Sequence, residues 1–536
     1  MNRLIVAAAA SVVTSLCVAA PAVNASKYPA LTTEQLGHIN YIVNVAKRLD
    51  GDWSEMGHSE PGQGGFDAYR YQLAMMSYTL NLANYHYTPA YRDIYQQATA
   101  GLIDKMMRFD VWGFWELTSK GSIAFNPQLK QLGEGWIDPI KDQNIMYSGH
   151  LFQMINTYAM LYNEPKFDKP ASISFEYDPV GRGMGPQKFQ YDIHSFAKVL
   201  YDQFVENGWR GIECEPNAIF PECNQHPILG YAAYDKRHGS DYFKRVSSEF
   251  KRQFDAMKYI DPRTNSFMGM YLVQQDKVLY NALPWSDGWS GAFMHGWSKA
   301  DVEQIYPIQR ENYLAKLPDG TATVKIDKPR GSYSHDHGFF AVLAAEVGDS
   351  QTQSSLIAYA DKYWRPQWQD GGLNYPRHDE FTDESDKPGA NVWRRVQVLT
   401  GNGLMGLARV NIKDGFYRLY NQPWGADHFD EPFISGVQYP QTLVSRAVYD
   451  RASQALIVTV RPAIDASQPA STSWRIGNLD PKSRYSVWRD GERVGAINRR
   501  VPSVQSQKAV ELSVQGEFIA ITHALGESTT FVVQKE

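Results

Sequence analysis

The sequence predicts a mainly α fold, an (α/α)6 barrel followed by a smaller all-β sandwich-like domain. Apolar stripes at offsets of three and four recur from about residue 31 to residue 410, in about ten to twelve segments joined by loops rich in Gly, Pro, Asp and Asn. After about Gly415 the pattern switches to short runs rich in β-branched and aromatic residues.

The helical elements read in order. Tyr91, Ile94, Tyr95, Ala98, Leu102, Ile103 and Met106 draw one stripe. Leu151, Met154, Ile155, Tyr158 and Tyr162 draw a second, and Phe196, Ala197, Leu200, Tyr201, Phe204 and Val205 a third. Val246, Phe250, Phe254 and Met257 follow, and then Val392, Trp393, Val396 and Leu399. No repeat of fixed period supports a solenoid, so paired helices closed into a ring are expected, with site-bearing loops gathered at one end. In the C-terminal part, Ala455–Val460, Tyr485–Trp488, Val510–Val514, Phe518–Ile521 and Thr530–Val533 read as strands, and Asp490-Gly491 as a hairpin turn.

Ahead of these elements, Arg3, the apolar run Leu4–Val13, Pro21 and the small-residue site Val23-Asn24-Ala25 match a cleavable export signal. The expected organisation is therefore a leader over 1–25, the barrel over 26–414 and the β domain over 415–536, in a periplasmic or secreted product cleaved near Ala25. Stable membrane insertion is not expected, because no later stretch is apolar enough to span a bilayer. With 53 basic against 58 acidic residues and no basic run, nucleic acid is an unfavoured partner.

Outside the leader only Cys214 and Cys223 remain of three cysteines. In an oxidising compartment their default reading is a disulfide; the alternative is two thiols available for chemistry. They sit in the densest reactive stretch, GIECEPNAIFPECNQH (Gly211–His226), with Glu213, Glu215, Glu222 and His226. Zinc is disfavoured there, since the spacing lacks close ligand pairs. Upstream, WIDPIKDQNIMYSGHLFQM places His150 where a loop gives way to a helix, facing the expected barrel mouth, with Asn144, Met146 and Tyr147 just before it. A lone histidine in such a place is more often a hydrogen-bonded structural residue than a catalyst.

NIMYSGH, C-E-P-N-x-x-F-x-x-C-N and AAYDKRHGSDY (Ala232–Tyr242) together resemble the linalool dehydratase-isomerase family, with weaker likeness in VWGFWE (Val111–Glu116) and YRYQLAMMSYTL (Tyr69–Leu80). The resemblance covers most of residues 35–410 and none of the C-terminal part. It implies an (α/α)6 barrel that dehydrates or isomerises an acyclic allylic terpene alcohol, without metal or organic cofactor, in a homo-oligomer, a pentamer by that likeness. It also implies that His150, Cys214 and Cys223 act in catalysis, that Tyr71 meets the substrate hydroxyl, and that Met146, Phe220 and Trp289 surround the apolar chain. The family has an aspartate and a following tyrosine ahead of Tyr71, whereas this chain has Asp50-Gly51-Asp52-Trp53 at a different spacing. Asp52 is the expected acid/base partner with Asp50 next, and Trp53 stands where the tyrosine is expected.

The chemistry also follows from the residues. Expelling hydroxide at neutral pH requires a proton donor at the leaving oxygen, for which His150, Tyr71 and Asp52 are candidates. The allylic cation requires a dry, polarisable pocket, which Met146, Phe220 and Trp289 can line. Cys214 or Cys223 then removes a proton to form the alkene or attacks carbon to form a transient thioether, and these routes stay open. There is no DDxxD cluster and no GxxxxGKS loop, which points to an uncharged substrate. Two rivals remain: a carbohydrate-active hydrolase or lyase using carboxylates such as Asp336, Asp287 and Glu116, and a non-catalytic binding protein with Cys214 and Cys223 bridged. Tyr71, Met146, Phe220 and Trp289 are equally compatible with plain core roles.

Overall fold

The computed structural model describes residues 23–57, 65–181, 185–325, 334–377, 396–464, 471–506 and 510–536. The apolar run of the expected leader and the stretch containing Val392 and Trp393 lie outside them.

Twelve helices alternate between two rings. The outer ring is α1 (Thr33–Lys47), α3 (Asp93–Met106), α7 (Ile193–Glu206), α9 (Tyr242–Ala256), α11 (Lys299–Tyr313) and α13 (Ser350–Tyr363). The inner ring is α2 (Tyr69–Tyr87), α6 (Ile145–Tyr162), α8 (Pro221–His238), α10 (Pro284–Met294), α12 (Ser334–Val347) and α14 (Met405–Val410), the last led in by a π-helical turn, Thr400–Leu404. Each inner helix packs on the next, and α14 returns to α2, so the ring closes as an (α/α)6 barrel. Two single-turn helices, α4 (Phe109–Trp112) and α5 (Trp115–Thr118), fill the connection from α3 to α6.

Burial separates the rings. The outer helix α9 buries Val246, Phe250 and Phe254 along one stripe, whereas every residue of α6 is buried. An inner helix is enclosed by its ring neighbours, its outer partners and the barrel interior, so it has no polar face. Local signals set the ends. Thr32 and Gln35 form a capping box on α1, Asp192 and Ser195 another on α7, and Pro221 and Pro284 occupy first-turn positions of α8 and α10. Gly239 ends α8 at φ +67°, a conformation open to glycine.

Because the helices alternate in direction, all inner helices run the same way and bring their N-termini to one end. A further helix, α15 (Gly415–Asn421), packs on α2 and α8 near the other end, where Phe416 meets Phe293 and Tyr420 reaches Gln153 and Thr157 of α6. The expected boundary at 415 therefore falls too early: α15 belongs to the barrel, and the first strand of the C-terminal sheets is Phe433–Ser435.

Two antiparallel sheets form the C-terminal domain. One has four strands in the order Phe433–Ser435, Thr472–Gly477, Phe518–His523, Val510–Gln515; the other has six, with Ala455–Pro462 and Thr529–Lys535 near its centre. Trp474 of the first and Phe531 of the second meet edge to face at 5.4 Å, which marks the shared interior of a sandwich. Asp490 and Gly491, at φ +49° and +85°, make the expected hairpin turn between Arg484–Arg489 and Glu492–Asn498. Main-chain bonds from Ala90 to Ala447, Ile434 to Ala90 and Leu31 to Ser445 fix the sandwich to the barrel.

Candidate active site

A cavity of about 530 Å³ opens at the end where the inner-helix N-termini converge, within the usual size range for a small-molecule site. The first two turns of the inner helices supply its wall: Arg70 and Tyr71 from α2, Met146 from α6, Glu222 and Cys223 from α8, Trp285 and Trp289 from α10. Cys214, Glu215 and Phe220 enter from the loop before α8, where the Cys214 N–H donates to the Ala218 carbonyl. Phe66 closes over the top, 4.6 Å from Trp285 and 4.1 Å from the His335 ring. Apolar rings and the Met146 thioether thus surround a small set of ionisable groups.

Those groups are set by burial. Cys214 and Cys223 are unbridged and line the same cavity. Loss of water pushes both thiols up, Cys214 well above the ordinary range, so both stay protonated at neutral pH. Burial likewise raises Glu215 to about 7, partly offset by the Arg70 charge, and Glu222 to about 8, with the Glu215 charge adding to the rise. Tyr71 is raised by burial beyond any ionisation near neutrality. The Arg70 guanidinium lies 4.5 Å from the Tyr71 ring centroid and 4.0 Å from that of Phe114, with Nη2 3.6 Å from the Met146 sulfur.

His150 stands one layer below the wall. Its ring is 5.7 Å from Tyr71 and 5.7 Å from Trp289, and 3.7 Å from the His226 ring. Nδ1 meets the Tyr78 hydroxyl at 2.9 Å, and Nε2 is buried with no hydrogen-bond partner among the described residues. Burial, reinforced by Arg70, holds His150 down to about 3, so the imidazole is neutral. The expectation that His150 faces the barrel mouth is corrected: it sits behind Tyr71 and Trp289.

The structure brings Tyr71, Cys214, Cys223, Met146, Phe220 and Trp289 to one cavity, with His150 behind its wall, and leaves Asp50, Asp52 and Tyr147, the last expected to bind substrate, outside it. Asp50 pairs with Arg108 on the surface, and Asp52, fully exposed, accepts from Ser54. Both lie in the surface turn after α1, where Trp53 stacks on Tyr69 at 4.4 Å and donates to Asp110. Tyr147 is buried on the outer side of α6, donating to the Met106 carbonyl at 2.8 Å. Three residues without an expected role belong to the site: Glu215, Glu222 and Arg70. The two glutamates were visible as neighbours of the cysteines, but nothing in a sequence marks a glutamate as buried. The carboxylates of the carbohydrate reading do not converge on the cavity. Asp287 is held by the Phe267 N–H and the Tyr313 hydroxyl, Asp336 by the Trp285 N–H, and Glu116 by the Tyr177 hydroxyl at the surface.

Among solved structures, the chain is similar to an α-1,6-mannanase from a Salegentibacter species at 10% identity and a TM-score of 0.39, over 72% of this chain and 99% of that chain. It is similar to an endoglucanase from Clostridium thermocellum at 11% identity and a TM-score of 0.35, over 94% and 92%. Likeness at that level carries no argument about the reaction. Over residues 70–381, more than half of its length and all of the cavity wall from Arg70 to Trp289, the chain matches the profile of linalool dehydratase/isomerase. The chain is a member of the linalool dehydratase/isomerase family.

Proposed function

We propose that the cavity converts an acyclic, terpene-like allylic alcohol to an alkene or a rearranged alcohol by proton transfer among its own side chains. The observation that carries this reading is the convergence of two unbridged thiols and two protonatable carboxyls on one chamber walled by Phe220, Met146 and Trp289.

Glu222, raised to about 8, is mostly a neutral acid at pH 7 and supplies the proton that turns the hydroxyl into water. The C–O bond breaks, water departs, and the electron-poor allyl fragment lies against the aromatic faces and the thioether. Glu215, raised to about 7, is substantially ionised there and takes the proton from the adjacent carbon, leaving an alkene; where water instead returns to the far allylic carbon, the same carboxylate takes a proton from that water and the rearranged alcohol is left. Cys214 and Cys223, held as neutral thiols, carry protons between these carboxyls and the substrate rather than acting as standing thiolates. Tyr71, between the thiols and His150, donates to the substrate oxygen.

The test is to incubate the purified protein, with chelator present, with tertiary and primary allylic alcohols and to analyse the products by gas chromatography. Alkene or transposed alcohol is expected from at least one of them. If none is converted by protein whose two thiols titrate as free, the reading fails.

A further inference from the structure

Asp168, His194 and His238 come together at the opposite end of the barrel from the cavity. Asp168 ends a 3-10 turn, Lys166–Asp168, after α6; His194 lies in the first turn of α7; His238 is the last residue of α8. Cys223 is in the first turn of α8, so about 22 Å of helix separates this cluster from the thiols.

Its geometry is poor for ion pairing and suited to coordination. Asp168 Oδ1 is 3.4 Å from His238 Nε2 and 3.8 Å from His194 Nε2, both too long for good hydrogen bonds. Around a tetrahedral ion with ligands at about 2.0–2.1 Å, neighbouring ligand atoms stand about 3.3–3.4 Å apart. All three candidate atoms lie within 4.8 Å of one another. Asp168 Oδ1 and His238 Nε2 are buried atoms with no hydrogen-bond partner among the described residues, a costly state for two polar atoms in contact.

The surroundings fit as well. His194 Nδ1 meets the Tyr234 hydroxyl at 2.8 Å, which turns Nε2 toward the carboxylate. Arg237 holds Asp168 by the other oxygen, Nη2 to Oδ2 at 2.8 Å, leaving Oδ1 free to face the imidazoles. His194 is half exposed, which gives water access to a fourth position. A second cluster, His295, Glu303 and Asp414, differs in that the oxygen facing its imidazole is already taken: the Lys299 ammonium is 2.8 Å from Asp414 Oδ1.

We propose that Asp168, His194 and His238 bind one zinc ion, with water as fourth ligand, as a structural clasp joining the segment after α6, the start of α7 and the end of α8. Two imidazoles and one carboxylate are a borderline donor set that favours zinc over calcium or magnesium. The clasp has no part in the reaction at the far end of the barrel.

Chelator-dialysed full-length protein is titrated with zinc chloride by calorimetry, and the thermal midpoint is followed in parallel. One equivalent is expected to bind and raise the midpoint, and cobalt is expected to give the visible absorption of a four-coordinate site. His194→Gln, at a half-exposed position where folding is preserved, and His238→Ala should each abolish saturable binding; Tyr234→Phe should weaken it about 10-fold. Absence of stoichiometric binding to the unmodified chain, or binding that survives His194→Gln, overturns the proposal.

Discussion

The Tyr78 hydroxyl lies 2.9 Å from Nδ1 of His150, and this contact determines which nitrogen of the imidazole bears the proton. The indole N–H of Trp289 can only donate, and it does so to His226 Nε2 at 2.8 Å. His226 therefore carries its proton on Nδ1, which donates to Gln153 Oε1 at 2.6 Å and faces the Tyr78 oxygen at 3.4 Å. Tyr78 is left to donate to His150 Nδ1, so His150 presents Nε2–H behind Tyr71. Tyr78→Phe keeps the ring against His226 and removes only that control. Turnover of the alcohol is expected to fall about 10-fold in kcat with KM unchanged, and the ¹⁵N shifts of His150 should move toward mixed tautomers. Unchanged shifts would remove Tyr78 from the mechanism.

Cys214→Ala and His150→Ala are each expected to lower alcohol dehydration by at least ~100-fold, with circular dichroism and cooperative melting preserved. Both side chains are buried in the wall or just behind it, so melting must be measured alongside rate. Alkylation of the two thiols should abolish activity to a similar extent. Near-normal turnover in both variants would defeat the proton-transfer scheme.

The outer ring was legible because helices such as α9 present one buried stripe to the barrel and a polar face to solvent. Inner helices such as α6 are buried all round, so the stripe Leu151–Tyr162 revealed the helix but not that its remaining faces are buried as well. At the site, sequence reasoning reached Cys214, Cys223, Tyr71, Met146, Phe220 and Trp289 through motifs in which unusual residues stand at fixed spacing. It missed Glu215 and Glu222 because a carboxyl's role here depends on loss of water, which is a property of the closed ring. It misplaced Asp52 because the turn after α1 directs that residue outward, a matter of loop path that no local pattern encodes.

The pH dependence of turnover should be a narrow bell. Glu222 must be protonated to act as acid, so activity falls as pH rises through about 8; Glu215 must be ionised to act as base, so activity rises through about 7. The two carboxyls influence one another, and the measured limbs are properties of the pair. Glu222→Gln should lower kcat by about 100-fold and remove the descending limb. A profile flat from pH 6 to pH 9 in the unmodified protein would show that neither carboxyl is used.

Buried groups also fix how stability varies with pH. Glu215, Glu222, Asp287 and Asp336 are all raised by burial, to between about 7 and about 8, so unfolding releases their protons at neutral pH and stability grows as pH falls toward about 4.5. His86, His150, His335 and His337 are held down to about 3, so the unfolded chain takes up protons below about 6.5 and stability is lost from there toward 3. The two trends oppose each other between these limits. The thermal midpoint is expected to rise on acidification from pH 8, pass through a broad maximum between about 4.5 and 6.5, and fall below it. A midpoint that declines steadily from pH 8 to pH 5 would contradict this balance.

Closure of the ring between α10 and α12 depends on Gly288. A Cβ built there meets the Phe339 carbonyl carbon at 2.6 Å and the Phe340 nitrogen at 2.7 Å, backbone atoms that cannot rotate away. One turn on, a Cβ at Gly291 first meets the tip of Leu343 at 3.0 Å, and that side chain can give. Gly288→Ala must therefore force the two helices apart, at about 2 kcal/mol, while Gly291→Ala gains about 1 kcal/mol of helix propensity and stays near neutral. Trp289 stacks on Phe339 at 4.6 Å, so separating the helices also shifts the cavity wall. Gly288→Ala should lower the urea midpoint and raise KM for the alcohol, with Gly291→Ala close to the unmodified protein in both. Equal effects of the two substitutions would show that the close approach of α10 to α12 does not hold the wall in place.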